Sequence, residues 1–253
     1  MAEIIAFVSP KGGCGSTFMC AGLWNSFANN SKKVLAVDFC FEKGTLDFNL
    51  GFQNDYIYTL SDCLDKSTEF SDVLVGYPDK TACFVKAGYE YMPFDFKKLI
   101  KYFEGFDYVL IDMPPIDAIA SEIIPSADTV VCVTDLSEVS LKICDSFLSS
   151  YETDNCLMAI NKVIPSYCAG GIHYTVDEAM DFLGIPLLGI VPWTPKAEIV
   201  LKQSFKYGIE DETADKAFNN MTKRLTGETV RACEFKNVYD CFKLKKDFSL
   251  KAD

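Results

Sequence analysis

Residues 8–17 read VSPKGGCGST, and they join a short apolar segment to a segment of helical composition. Gly12, Gly13 and Gly15 let the backbone curl so that several N–H groups point into one concavity. A helix that begins near Ser16 adds its positive N-terminal end to the same concavity. The pattern predicts a phosphate-binding loop, although Ser16 stands where the motif G-x-x-x-x-G-K-[ST] has its lysine.

Three further side chains carry the groups that a phosphate loop needs for a divalent ion. The hydroxyl of Thr17 directly follows Ser16 and is suited to hold Mg²⁺ beside phosphates. Asp38 ends the apolar segment KVLAVD, and Asp112 ends the apolar segment DYVLID. Asp112 is placed like the acidic residue that holds the same ion through water, and Asp38 is a second acid at a strand end. A turn that uses its glycines for tightness alone is the alternative interpretation.

Short apolar segments rich in β-branched residues alternate with amphipathic segments along the chain. Strands are predicted over residues 3–9, 33–38, 82–87, 107–112, 129–134, 156–161 and 186–191, and helices over 17–29, 94–104, 137–149, 175–182, 195–206 and 212–225. The predicted strands are apolar on both faces, as strands covered by helices on both sides must be. This order predicts an α/β fold with one doubly wound, mostly parallel sheet, whose ligands bind at the carboxyl ends of its strands.

Composition restricts the class of protein. The 253 residues include 24 Lys and Arg against 36 Asp and Glu, and a net charge of −12 argues against general nucleic-acid binding. The opening MAEIIAFVS has no basic region or long apolar run, so we expect a cytoplasmic protein. Eleven cysteines contain no C-x-x-C pair, and His173 is the single histidine. Zinc ribbons and multi-histidine metal sites are therefore not expected, and the thiols are interpreted as buried apolar groups.

The segment KGGCGST resembles the deviant phosphate loop of the MinD/ParA family of P-loop ATPases, whose usual form is KGGVGKT. The resemblance extends through VLAVDFCFEKGTLDFNLG (34–51), DYVLIDMPP (107–115), ADTVVCVTDLSEVSLK (127–142) and LLGIVPWTP (187–195). With Ser16 in place of lysine, the loop is most similar to the CpaE/TadZ pilus-assembly branch. The resemblance implies a P-loop NTPase domain over residues 1–230 and a C-terminal helical tail over 231–253.

The resemblance also implies the ligands, Mg²⁺ with ATP or ADP, and the residues that hold them. It assigns nucleotide contacts to Lys11, Gly12, Gly13, Cys14, Gly15, Ser16, Thr17, Asn161 and Pro192, and magnesium contacts to Thr17, Asp38 and Asp112. Lys11 is the family's signature residue and would reach, in trans, the phosphates of the partner in a nucleotide-sandwich homodimer. Lys11 and Asp38 are therefore the candidate catalytic residues. Asn161 and Pro192 would lie beside the adenine, and a helix cap is the alternative role for Asn161.

Two positions depart from the family pattern. Ser16 cannot supply the charged contact of the usual loop lysine. Because a charge-assisted contact contributes ~1.5–3 kcal/mol, losing that contact weakens nucleotide binding roughly 10- to 150-fold. Cys40 stands two residues after Asp38, where the family has its catalytic aspartate. A thiol is a poor proton acceptor, and losing a general base typically lowers the rate ~10²–10⁴-fold. We therefore expect a slow ATPase or a pseudo-ATPase.

The tail over residues 231–251 carries six basic and three acidic residues. Phe235, Val238, Tyr239 and Phe242 lie at i, i+3, i+4 and i+7, a spacing that predicts one helical stripe. A similar stripe in MinD proteins targets the membrane, which implies weak membrane contact and a peripheral location at the inner face. A last helix packed on the body is the alternative.

Three functions remain open at this point. The first is a Mg-ATP-dependent homodimer that positions or assembles proteins of a polar, pilus, secretion or division machine. The second resembles nitrogenase iron protein, a metal or electron-transfer ATPase, but Cys14, Cys40 and Cys132 match no cluster spacing. The third is a scaffold that binds no nucleotide.

Overall fold

The computed structural model describes residues 1–41, 44–77, 79–90, 94–115, 117–151, 154–195 and 212–242. Its strands are β1 (Glu3–Val8), β2 (Val34–Asp38), β3 (Val75–Gly76), β4 (Ala82–Lys86), β5 (Tyr108–Met113), β6 (Thr129–Thr134), β7 (Cys156–Val163) and β8 (Leu187–Pro192). They form one sheet in the order β3-β4-β2-β5-β1-β6-β7-β8. Each neighbouring pair is parallel except β3 with β4.

Helices connect the strands across both faces of the sheet. The described α-helices are α1 (Ser16–Asn29), α2 (Leu46–Leu50), α3 (Leu60–Leu64), α4 (Phe70–Val73), α5 (Phe96–Leu99), α6 (Asp117–Ile123), α7 (Glu138–Leu148), α8 (Pro165–Ala169), α9 (Val176–Leu183) and α10 (Glu212–Leu225). Short 3-10 helices follow at Ile100–Phe103, Ile124–Ser126 and Val238–Cys241. None of these helices is long and apolar enough to cross a bilayer.

The predicted fold class is confirmed, and each of the seven predicted strands is present to within two residues at its ends. The short antiparallel β3 was not predicted, because two residues carry no periodic signal. A capping box begins α9, where Thr175 Oγ1 donates to Glu178 Oε2 over 2.8 Å. The predicted helix over 94–104 is shorter, a single α-helical turn continued by a 3-10 turn. The helix predicted over 195–206 lies outside the described residues apart from residue 195.

The sheet separates two apolar clusters because alternate residues of a strand point to opposite faces. In β1, Ile4, Ala6 and Val8 join one cluster, whereas Ile5 and Phe7 join the other. The Ile5 side is covered by α1 and α10, and the Ile4 side by α6, α7 and α9. Both faces are covered, and ligands of such sheets bind outside the carboxyl ends of the strands.

The described part of the tail, residues 231–242, packs on the body and does not form the predicted α-helical stripe. Asn237 has a left-handed φ of 61°, a conformation that interrupts an α-helix. Phe242 is buried, and Phe235 and Val238 pack partly buried against the Ile4-side cluster, whereas Tyr239 is about half exposed. Residues 243–253 lie outside the described residues, and the boundary between 1–230 and 231–253 stays a prediction.

Helix α1 is buried along residues 18–27, and its contact with α10 leaves no space at Gly22. A Cβ at this position would overlap the Phe218 ring, which is itself fully buried. We expect Gly22→Ala to lower the free energy of unfolding by ~1–3 kcal/mol through overpacking, measured by urea denaturation. The second change Phe218→Leu should recover part of that loss. Equal stability of Gly22→Ala and wild type would contradict the close approach of the two helices.

Candidate functional site

The glycine-rich loop connects β1 to α1 at the carboxyl edge of the sheet. Gly13 and Gly15 have left-handed φ values of 85° and 100°, which explains why these positions are glycine. Helix α1 begins directly afterwards at Ser16, and no side chain within the described ranges caps its first turn. The N–H groups of that turn point toward the loop, as an anion-binding site requires.

Strand pairing places the acidic residues of the edge side by side. The parallel registers align Asp38 of β2 with Asp112 of β5 on one side and with Lys86 of β4 on the other. One ligand atom from each of Asp38, Cys40 and Asp112 lies within 4.8 Å of the other two. Thr17 Oγ1, in the first turn of α1, donates to Asp112 Oδ2 over 2.6 Å. The predicted magnesium residues are therefore close together in space.

One carboxylate oxygen of Asp112 can still accept a hydrogen bond or bind a metal ion. The residue is fully buried, and its Oδ1 atom has no hydrogen-bond partner. Burial, and secondly the nearby charge of Asp38, raise the pKa of Asp112 to about 7. An unsatisfied buried carboxylate oxygen beside a threonine hydroxyl fits a hydrated Mg²⁺, which prefers oxygen ligands and keeps several of its waters. Thr17 and Asp112 therefore fit the ion that the loop implies.

Asp38 is engaged on both of its oxygens. Cys40 N donates to Oδ1 over 2.9 Å, and Lys86 Nζ lies 3.1 Å from Oδ2. Gly44 packs so closely on the carboxylate that a Cβ at position 44 would overlap it. Asp38 is fully buried, and each of its oxygens already accepts a hydrogen bond. It is therefore a poor candidate for the base that activates water.

Cys40 holds a neutral thiol at the position where the resemblance predicts a catalytic aspartate. Burial, followed by the charges of Asp112 and Asp38, raises the pKa of Cys40 far above its ordinary range. Its Sγ donates weakly to Asp112 O over 3.9 Å. Such a thiol is neither a proton acceptor nor a metal-binding thiolate at neutral pH.

Lys11 contacts a carboxylate of its own chain. Its Nζ lies 3.2 Å from Asp135 Oδ2, which also accepts from Cys14 Sγ, and Ser137 donates to Oδ1. Burial alone would raise the pKa of Asp135, but hydrogen bonds from Ser137, Ser140 and Lys11 lower it below its ordinary value. Asp135 was not predicted, although it directly follows β6, much as Asp112 is the last residue but one of β5.

Two neighbouring side chains from β7 hold the loop from the other side. Asn161 Nδ2 donates to Cys14 O over 2.9 Å, and Lys162 Nζ donates to Gly13 O over 2.7 Å. Lys162 has a left-handed φ of 58°, and its N–H donates to Asn161 Oδ1. Both polar ends of the Asn161 amide are therefore used within the protein, to fix the loop and the strand end. Lys162 was not predicted as a site residue.

A cavity of about 380 Å³ opens beside the loop, within the range typical of small-molecule sites. Its lining combines loop residues with aromatic and polar side chains: Gly13, Gly15, Thr17, Phe18, Thr45, Phe48, Asn49, Asn161, Lys162, Val191, Pro192, Trp193 and Thr194. Trp193 and Phe48 are 50% and 43% exposed and were not predicted. Aromatic faces at these positions can stack on a nucleobase. The cavity thus connects a loop suited to phosphates with a wall suited to a nucleobase. Four residues with predicted nucleotide contacts do not line it: Lys11, Gly12, Cys14 and Ser16.

Comparison with known proteins gives relatives over nearly the whole chain, although no family model matches. The septum site-determining protein MinD of Helicobacter pylori is 28% identical over 93% of this chain and 95% of that protein. MinD of Bacillus subtilis is 26% identical over the full length of both.

Solved structures resemble the chain at similar coverage. MinD in the MinC:MinD cell division complex of Aquifex aeolicus superimposes with a TM-score of 0.81 at 26% identity, covering 92% of this chain and 99% of that one. MinD of Pyrococcus horikoshii, complexed with Mg-ADP, has a TM-score of 0.75 at 23% identity, covering 89% and 96%.

The parallel sheet with a glycine loop between its central strand and a buried helix defines the class, a P-loop NTPase fold. The sequence and structure relatives together support the more specific resemblance, to the MinD/ParA family of P-loop ATPases. The CpaE/TadZ branch and the roles of individual site residues stay predictions.

The raised pKa of Asp112 predicts a pH dependence of stability without nucleotide or metal. Its ordinary pKa is near 3.8 and its folded value about 7, so between these pH values the folded state holds a proton that the unfolded state lacks. Stability should therefore fall as pH rises through this window, by up to ~1.4 kcal/mol per pH unit. Asp112→Asn should flatten the curve, measured by urea denaturation from pH 4.5 to 8. Parallel curves for the two proteins would contradict the assignment.

Proposed function

We propose that this protein is an atypical MinD/ParA-like nucleotide-binding protein with weak or absent hydrolysis. It binds Mg-ATP or Mg-ADP and acts as a nucleotide-dependent homodimer that positions or assembles other proteins. The observation that carries this proposal is the orphaned Oδ1 of buried Asp112, beside the Thr17 hydroxyl and below a glycine loop that opens into an aromatic cavity. A structural turn has no use for an unsatisfied buried acceptor, which destabilises a fold by ~1–3 kcal/mol.

Each part of the ligand has a matching group on the chain. Backbone N–H groups of Gly13, Gly15 and the first turn of α1 bind phosphates, and Thr17 with Asp112 holds the ion. The bound Mg²⁺ would neutralise phosphate charge. Pro192 and Trp193 offer an apolar wall to the base. Asn161 acts indirectly in this arrangement, by holding the carbonyl of Cys14 and hence the curvature of the loop.

Slow turnover follows from the groups at the phosphate end. Ser16 supplies no charge, Cys40 is a neutral thiol, and Asp38 has donors on both of its oxygens. An attacking water would therefore lack an oriented carboxylate. Lys11 must leave Asp135 before it can reach a partner's phosphates in trans, which makes dimer formation compete with an ion pair inside one chain.

The comparisons support the wider biological setting of this proposal. One similar protein is a septum site-determining protein, and another occurs in a complex with MinC. For this chain we propose a CpaE/TadZ-like or division-type role in the cytoplasm, with a peripheral site at the inner face of the membrane and weak contact through 231–251. Nothing among the described residues favours an iron–sulfur role, because the one candidate metal group found there combines Cys40 with two carboxylates.

Calorimetry with Mg-ATP tests nucleotide binding directly. We expect binding of modest affinity in wild type and a roughly 10- to 150-fold tighter affinity in Ser16→Lys, since the new ammonium restores one charge-assisted contact. Ser146→Lys adds the same charge on the exposed face of α7 and should leave the affinity unchanged. No heat and no rise in melting temperature at millimolar Mg-ATP would reject the proposal and favour the nucleotide-free scaffold.

Steady-state phosphate release tests the assignment of Cys40. We expect very slow release in wild type, a larger increase from Cys40→Asp than from Ser16→Lys, and the largest from the double variant. The reason is that positioning water and stabilising phosphate charge are separate tasks. Cys40→Asn matches the shape of aspartate without its charge and should not accelerate release. Wild-type turnover at rates usual for the MinD/ParA family would show that Cys40 is no defect.

A further inference from the structure

A buried lysine lies at the acidic edge of the sheet, where no sequence motif predicts one. Lys86 is the last residue of β4, only 4% exposed, and its Nζ lies 3.1 Å from the fully buried Asp38 Oδ2. Lysine is almost never this deeply buried unless it is paired, because removing the ammonium from water is costly. Lys86 therefore belongs to the electrostatics of the site rather than to a solvated surface.

The strand registers order the charges in one row. Lys86, Asp38 and Asp112 occupy aligned positions on the neighbouring strands β4, β2 and β5. Because adjacent strands lie about 4.8 Å apart, Lys86 is the direct neighbour of Asp38, whereas Asp112 lies one strand further away. The row places one positive charge beside two acidic groups and lowers the negative potential that would attract a divalent ion.

Asp112 and Asp38 differ in whether a carboxylate oxygen remains available to bind a metal ion. Asp112 has an unpartnered Oδ1 and shares its other oxygen with the Thr17 hydroxyl. Asp38 accepts from Cys40 N on one oxygen and from Lys86 on the other, and Gly44 closes over it. The donor set thus fits a metal at Asp112 but not at Asp38.

We propose that Lys86 is a positioning residue that withdraws Asp38 from metal binding, so that Thr17 and Asp112 alone supply the protein ligands of the divalent ion. The Lys86 ammonium balances the negative charge of Asp38, which a bound metal ion would otherwise balance. The inference deepens the proposed function and rests on it for the identity of the site. It departs from the sequence-based assignment of Asp38 as a magnesium ligand.

The test uses Mn²⁺ alone, titrated into the full chain without nucleotide and followed by the loss of free-ion signal in electron paramagnetic resonance. Lys86→Met removes the cation and frees a second carboxylate, so we expect Mn²⁺ to bind on the order of 10-fold or more tightly than in wild type. Lys142→Met is the matched control, because Lys142 pairs with Glu138 on the exposed face of α7. That control should match wild type.

The double variant Lys86→Met/Asp38→Asn separates the two possible roles of Asp38. It keeps the net charge of the wild-type pair but removes the Asp38 carboxylate, so its Mn²⁺ affinity should equal that of wild type. A 10-fold or greater loss would show that Asp38 already binds the ion and would overturn the proposal. If Lys86→Met alone fails to fold, because Asp38 is left buried without a partner, the double variant still decides the question.

Two further outcomes have defined meanings. Unchanged Mn²⁺ affinity in folded Lys86→Met, or no Mn²⁺ binding by any variant, would overturn the role of Lys86. Mn²⁺ binding that follows the expected pattern, in a protein that gives no heat with Mg-ATP, would support the role of Lys86 while rejecting the nucleotide function.

Discussion

The hydrogen bond from Thr17 to Asp112 joins the two structural halves of the site. It connects the first turn of α1 to the end of β5, and thereby sets the glycine loop above the acidic edge of the sheet. The loop can stay curved because Asn161 and Lys162 hold its carbonyl groups from β7. Contacts from α1, β5 and β7 therefore shape the loop, and the N-terminal end of α1 lies beside it, as a phosphate site requires.

The lysines of this cleft occupy different positions and have different partners from those that the family resemblance predicts. The loop position carries Ser16, while Lys11 pairs with Asp135 and Lys86 pairs with Asp38, both within the same chain. The first ion pair holds Lys11, which the resemblance predicts to reach a partner's phosphates. The second holds the Asp38 carboxylate, which the resemblance predicts to lie near the magnesium ion. Under the proposed function, this arrangement would favour holding nucleotide over turning it over quickly.

Packing behind the site explains how these groups stay in place. Helix α1 is buried between the sheet and α10, with Gly22 against Phe218, so its N-terminal turn cannot shift without disturbing the core. The tail over 231–242 adds Phe242 to the opposite apolar cluster. The site is therefore built on buried, closely packed elements, and its side chains pair across the cleft.

The sequence by itself determined the strand and helix alternation, the position of the loop, and candidate site residues near strand ends such as Asp112. These follow from local periodicity and from glycine conformations, which depend on near neighbours. Only the tertiary structure decided the partners of those groups. Lys86 ends its strand next to Asp38 because of strand order, and Asp135 meets Lys11 across more than 120 residues of chain. Periodicity carries no signal for such pairings, because burial and contact between distant residues arise only when the sheet is assembled. For the same reason Asn237, with its left-handed backbone, could end the stripe of the tail that spacing alone predicted to be helical.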